Sequence, residues 1–152
     1  MKRLIISILF CLGSLSIFPQ GFNNDKTELG FFCERMYKSA PFEGVKAMKD
    51  YDHEYILSIV VLPVANYSTE QEMNRVAMVK AQRQVSTFFN GSSITSDLVI
   101  TTTEDPVTES VVTSLTETIR ERTFGYVRQL ELLTNFLTTE NTQKVFVFYK
   151  EL

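Results

Sequence analysis

Ser68 to Gly91 reads STEQEMNRVAMVKAQRQVSTFFNG, and this stretch decides the fold. Met73, Val76, Ala77, Ala81, Val85 and Phe88 recur at helical spacing and share one face. Glu72, Arg75, Lys80, Arg83 and Gln84 fill much of the remainder. Ser68 is a suitable N-cap, and Gln71 stands three residues on, as in a capping box. Asn90-Gly91 supplies a left-handed stop. Roughly 20 residues at 1.5 Å each give a helix of about 30 Å. One apolar stripe of that length needs a sheet to lie across.

The sheet is legible on both sides of the helix. Glu54 to Leu62 is apolar at Tyr55, Ile56, Leu57, Ile59, Val60, Val61 and Leu62. A strand apolar on both faces is central and covered twice. Pro63 ends it. Gly44 to Lys49 alternates Val45, Ala47 and Lys49 and precedes a turn at Tyr51-Asp52-His53. After Gly91 the period changes to two: Ile94, Ser96, Leu98, Ile100 and Thr102 point one way. That alternation predicts a half-buried antiparallel strand. Tyr126 to Leu137 and Val145 to Tyr149 read as closing strands around a turn at Glu140-Asn141.

Pro106 to Arg122 is read as helix, because Val111, Val112, Leu115 and Ile119 share a face and Pro106 suits a first turn. Its seven Thr and Ser residues between Thr108 and Thr123 weaken that propensity. If residues 107–122 were strand, a cystatin-like sheet wrapped around one helix would follow. The expected architecture is α+β, with two helices packed on an antiparallel sheet. Residues 22–42 are expected to form a lead-in carrying a short helical piece from Leu29 to Lys38.

The N-terminus carries an address. Met1, Lys2 and Arg3 precede an uncharged apolar run from Leu4 to Leu15, and Ser14 and Ser16 occupy positions −3 and −1. This is the layout of a secretory signal peptide over residues 1–16, with cleavage as late as residue 21 as an alternative. The run is shorter than the about 20 residues of a membrane-spanning helix. No stable membrane anchor is expected after cleavage, and the product is expected in the periplasm or outside the cell. Residues 43–152 then form one domain.

Loss of Lys2 and Arg3 leaves 13 basic residues against 18 acidic ones, a net charge of −5. An acidic chain without a basic stripe is a poor partner for nucleic acid or an anionic membrane. Cys33 is the one cysteine after cleavage, so no internal disulfide forms. Following Phe31 and Phe32, it reads as a small packed side chain. Asn66-Tyr67-Ser68 and Asn90-Gly91-Ser92 fit the N-glycosylation pattern, which matters only in a eukaryotic secretory pathway.

Chemistry-bearing constellations are few. Asp50, Asp52, His53 and Glu54 are the types that hold metals, but consecutive side chains on a hairpin diverge, and a solvated turn is expected. His53 is the sole histidine, so any Ser–His–Asp triad would have to use it. No nucleophile elbow or Gly-rich phosphate loop is present in the sequence. Arg120 and Arg122 flank Glu121 on an expected solvated face. No catalytic, cofactor-binding or metal-binding residue is assigned, and no cofactor or enzymatic activity is expected. Phe88, Phe89, Phe124, Tyr126, Phe136, Phe146, Phe148 and Tyr149 crowd the second half. Most belong in a core, and any left exposed would form a partner-binding patch.

An apolar strand, a helix with Ala77-Met78-Val79-Lys80-Ala81, a strand with Ser92-Ser93-Ile94-Thr95-Ser96, Gly125-Tyr126-Val127 and a hairpin ending in Val145-Phe146-Val147 follow in order. Over residues 54–150 this order resembles small bacterial envelope lipoproteins that include surface antigens and flagellar outer-membrane assembly factors. The resemblance implies an α+β domain with a non-enzymatic interaction or structural role and a protein partner of the cell envelope. The chain departs from that family at Cys11, which follows Phe10 where lipidation signals have Gly, Ala or Ser. Two other functions follow from the residues: binding of a small ligand between helix and sheet, and exported hydrolysis.

Overall fold

A computed structural model describes residues 24–51, 53–91, 95–101, 106–122 and 129–152. The leader expected over residues 1–16 lies outside them. So do Asp52, the Ser92–Ile94 part of the period-two stretch, Phe124 and Tyr126. The side chains of Arg120, Glu121 and Arg122 also fall outside the described set.

The chain is α+β, with 49% helical and 34% strand residues among those described. The elements are α1 (Asn24–Ser39), β1 (Gly44–Asp50), β2 (His53–Pro63), α2 (Glu70–Gly91), β3 (Val99–Thr101), α3 (Glu109–Arg122), β4 (Glu131–Leu137) and β5 (Gln143–Glu151). Five strands form one sheet in the order β3-β1-β2-β5-β4. β2 is central, as its two apolar faces require. It pairs antiparallel with β1 from Gly44↔Ile59 to Asp50↔His53, and with β5 from Tyr55↔Glu151 to Pro63↔Gln143.

Alternate residues of these strands feed two cores. Val45, Ala47, Ile56, Val60, Leu62, Phe146 and Phe148 face α2 and α3. Met48, Leu57, Ile59, Val145, Val147 and Tyr149 face α1. The result is three layers, with helices on both faces of the sheet.

α2 carries the expected stripe, with Met73, Ala77, Ala81, Val85 and Phe88 buried. Val76 is half-buried beside them. The helix begins one residue later than the sequence reading places it. Thr69 is the cap: its Oγ1 accepts the Glu72 backbone N–H at 3.1 Å, while the Glu72 carboxylate accepts the Ser68 N–H at 3.2 Å. Gly91 is still helical, so the left-handed stop expected at Asn90-Gly91 does not occur there. Small residues let α2 approach β2 closely. Ala77, Ala81 and Ser58 are fully buried, and the Ser58 Oγ lies 3.4 Å from the Ala81 carbonyl.

The lead-in is more regular than expected. α1 spans 16 residues, and Leu29, Cys33 and Tyr37 form its buried stripe. Asn24 and Asp25 open the helix where turn chemistry is expected, because the apolar stripe of the later turns carries the segment onto the sheet. At Gly30 the helix nearly touches β4: an added Cβ would lie 3.4 Å from the Thr134 Cβ. Tyr37 packs edge-on against Phe136 with centroids 5.6 Å apart.

The sheet is mixed rather than wholly antiparallel. β3 is only three residues long and runs parallel to β1, with Ala47↔Val99 and Lys49↔Thr101 as end pairs. Residues 96–98 form a 3-10 turn instead of extending the strand. The chain leaves β2, crosses one face as α2 and reaches the far side of β1, where β3 runs parallel to β1 and opposite to β2; a parallel pair needs a long connection of this kind.

α3 is helical as preferred, which removes the cystatin-like alternative. Its hydroxyls bond back into the helix: Thr113 Oγ1 donates to the Glu109 carbonyl at 2.8 Å and Thr116 Oγ1 to the Val112 carbonyl at 2.6 Å. A Thr-rich helix thereby keeps its side-chain donors satisfied. Leu115 and Ile119 are buried in the α2-side core. Within the expected strand from Tyr126, the described pairing starts at Glu131. A register shift between Leu132 and Thr134 bends β4 at the sheet edge.

Candidate functional site

Among the described residues, a concavity lies between α2 and the start of β1. Its volume is about 500 Å³, within the roughly 300–1,000 Å³ of small-molecule sites. Lys80, Arg83, Gln84 and Thr87 recur at three- and four-residue steps, so one face of α2 supplies one wall. Phe42, Val45, Phe88 and Leu98 supply the apolar surface.

The cause is a difference in approach. Ala77, Ala81 and Ser58 draw α2 down onto β2. Toward β1, Lys80 and Arg83 are exposed rather than packed, Gln84 turns to Ser58 on β2, and a gap is left.

Several contacts fix the walls. Gln84 Oε1 accepts the buried Ser58 hydroxyl at 2.7 Å. Lys46 Nζ sits 4.6 Å from the Phe42 ring centroid and donates to the Asp97 carbonyl at 3.0 Å. One side chain therefore ties Phe42 to the turn that carries Leu98. The Thr95 hydroxyl and the Asp97 backbone N–H hold the Asp97 carboxyl below its ordinary range. Gly44 adopts φ +134°, and an added Cβ would meet the Phe42 Cζ at 3.1 Å. Glycine at this position keeps the Phe42 ring where it lines the cleft.

The charges at the cleft are unequal. Lys80 Nζ lies 3.4 Å from Glu43 Oε1, which also accepts the Val61 N–H at 3.2 Å. Arg83 is exposed and makes no ion pair among the described residues. A second, smaller cavity of about 340 Å³ lies between the end of α1 and the β4–β5 turn. The lysine there, Lys38, is engaged by Glu34 at 2.6 Å.

Of the residues weighed for metal chemistry, Asp52 lies outside the described residues, and Asp50 and His53 face each other across the β1–β2 hairpin. His53 is the first residue of β2, not part of the turn, and its Nδ1 lies 2.7 Å from Glu151 Oε1. Glu54 faces Lys49 at 3.8 Å. No group of three or more His, Cys, Asp or Glu side chains able to hold a metal occurs among the described residues.

Cys33 is fully buried, and desolvation pushes its thiol up to about 12. Such a thiol is inert as a nucleophile. Asn66 stands in the turn after β2, and the Asn90 amide donates to the Ser86 carbonyl at 2.8 Å.

Phe88, Phe146, Phe148 and Tyr149 are buried, while Phe89 and Phe136 are partly so. Among the described residues the large apolar side chains left exposed are Phe31, Tyr51, Val79, Leu132 and Leu137. They are spread over α1, the β1–β2 turn, α2 and β4. No helix among the described residues is long and apolar enough to cross a membrane.

A ligand site between helix and sheet was among the expectations from the sequence, but no residue was assigned to it. Lys80, Arg83 and Gln84 read there as a solvated face, Phe42 lies in the lead-in, and Leu98 falls in the expected strand after Gly91. Comparison with family models, with curated proteins and with solved structures finds no match.

Proposed function

We propose that this chain is an exported, non-enzymatic binding module of a bacterial envelope, and that it takes a small apolar ligand in the cleft between α2 and β1. The cleft carries this reading: an apolar surface of side chains faces polar groups at regular helical steps, in a volume suited to one small molecule. The basic and apolar N-terminus supports export, and the order of elements over residues 54–150 supports the envelope assignment.

A neutral naphthylamine fluorophore added to the native chain tests the binding reading. Saturable enhancement at one site is expected, abolished by Thr87→Trp, which fills the cleft from an exposed position. Val79→Trp, on an exposed part of the same helix, should leave it intact. Equal enhancement in both variants would overturn the assignment. Fractionation with N-terminal sequencing tests export, which a cytosolic product retaining Met1 would refute.

Docking of a protein partner has a separate support. Among the described residues β4 is an edge strand, and it exposes Leu132 and Leu137. Crosslinking from a photoreactive residue at position 135 in envelope extract, absent from a β5-facing control, is the expected outcome for that reading.

A further inference from the structure

We infer that the cleft between α2 and β1 recognises a free, single-chain amphipathic carboxylate, with Arg83 as its charge-reading residue. This rests on the reading of the cleft as the binding site.

The apolar part is built by Phe42, Val45, Phe88 and Leu98. These side chains carry no donor or acceptor, so they discriminate by shape and desolvation alone and suit an alkyl chain. The adjoining wall brings two cations one helical turn apart, and their environments differ. Lys80 is compensated by Glu43, which the Val61 N–H also engages. Arg83 has no anionic partner among the described residues, although the mature chain is acidic. A planar guanidinium presents paired donors that match a carboxylate. Apolar surface beside one uncompensated guanidinium is complementary to an alkyl chain ending in a carboxylate. It is not complementary to an alkyl cation, which would place like charges together. Around Phe42 and Leu98 the charges are of both signs, with Lys46 against the Phe42 ring and the Asp97 carboxylate next to Leu98, which does not suit a polyanion.

Calorimetric titration with decanoate, decanol and decyltrimethylammonium distinguishes these cases, using the leaderless chain and its Arg83→Gln variant. Decanoate should bind with one site per chain, and Arg83→Gln should weaken it about tenfold, the effect of losing one charge-assisted hydrogen bond. Arg83→Lys should recover part of that loss. Decanol should bind both chains alike and more weakly than decanoate binds the parent chain. The alkyl cation should bind worst.

Equal affinities for decanoate and decanol, or no effect of Arg83→Gln, would overturn the ligand class. Naphthylamine binding abolished by Thr87→Trp would in that case leave the cleft itself standing. Absence of binding by every probe would overturn both readings. Circular dichroism of each variant checks that the fold is retained, and Arg83 is exposed enough that its loss should not disturb it.

Discussion

Ala81→Leu is the most direct probe of the arrangement that creates the cleft. Ala81 is fully buried where α2 crosses β2, with the Ser58 hydroxyl against its carbonyl. Ala77, one turn earlier, is fully buried as well. Leucine adds three carbons at a contact with no free volume. Either the helix lifts from β2 or the side chain is forced off its rotamer. Overpacking of this kind costs about 1–3 kcal/mol. Any lift also breaks the Ser58–Gln84 hydrogen bond and strands a buried hydroxyl, which adds roughly 1–3 kcal/mol. If the helix lifts, the sum of these ranges is about 2–6 kcal/mol. With a urea slope of about 1–3 kcal/mol per molar, a drop in midpoint of roughly 0.7 M or more follows. Urea unfolding followed by circular dichroism measures it, with Val79→Ala as the surface control, expected within about 0.5 kcal/mol. A parent-like midpoint for Ala81→Leu would mean that α2 stands clear of β2. The account of why a gap opens toward β1 would then fail.

Phe88→Ala should cost about 3–5 kcal/mol, and Arg83→Ala on the exposed wall should stay within about 0.5 kcal/mol; equal urea midpoints would mean the face is misassigned. Gly44→Ala should lose about 1–3 kcal/mol through its backbone conformation, and should weaken decanoate binding by displacing the Phe42 ring. Hydrogen bonding and charge from Lys144 lower the Glu70 pKa, as Lys26 does for Glu131. A depressed folded-state carboxyl contributes stability above its ordinary pKa and loses it as pH falls through the folded value. Midpoints recorded from about pH 6 to about pH 2 should therefore fall on acidification, less steeply in Lys144→Ala. Cys33 in a chain lacking Cys11 should resist maleimide until denaturant is added; prompt native labelling would contradict its burial. His53→Ala should change stability by no more than about 0.5 kcal/mol, and elemental analysis should find no stoichiometric metal. About one metal per chain, lost in that variant, would place a site at the β1–β2 turn.

The long helix and the central strand were legible because each element's own residues carry its burial pattern. Met73 to Phe88 repeat with the helical period, and Tyr55 to Leu62 leave no polar face except at Ser58. α3 was legible from Val111, Val112, Leu115 and Ile119 despite its threonines. The direction of β3 was not, since alternation of side chains is the same in parallel and antiparallel strands. Its short length was hidden too: Ser96 to Leu98 alternate like a strand but close a turn. The start of α1 was obscured because Asn24 to Thr27 carry none of the stripe that holds the helix down. The cleft was least legible of all. Its walls come from residues 42–45, 80–88 and 98, and only the sheet brings them together.

The place of β5 in the sheet has a consequence for biosynthesis. The strand beside β2 at its centre is drawn from residues 143–151, so Tyr55 waits for Glu151 and Val60 for Phe146. The β1–β2 hairpin can close as soon as it leaves the ribosome, but one side of β2 stays open while the next eighty or so residues are made. During that interval the nascent chain presents Ile56, Val60 and Leu62 without their cross-strand partners. A polypeptide with this wiring cannot complete the centre of its sheet until late in its synthesis.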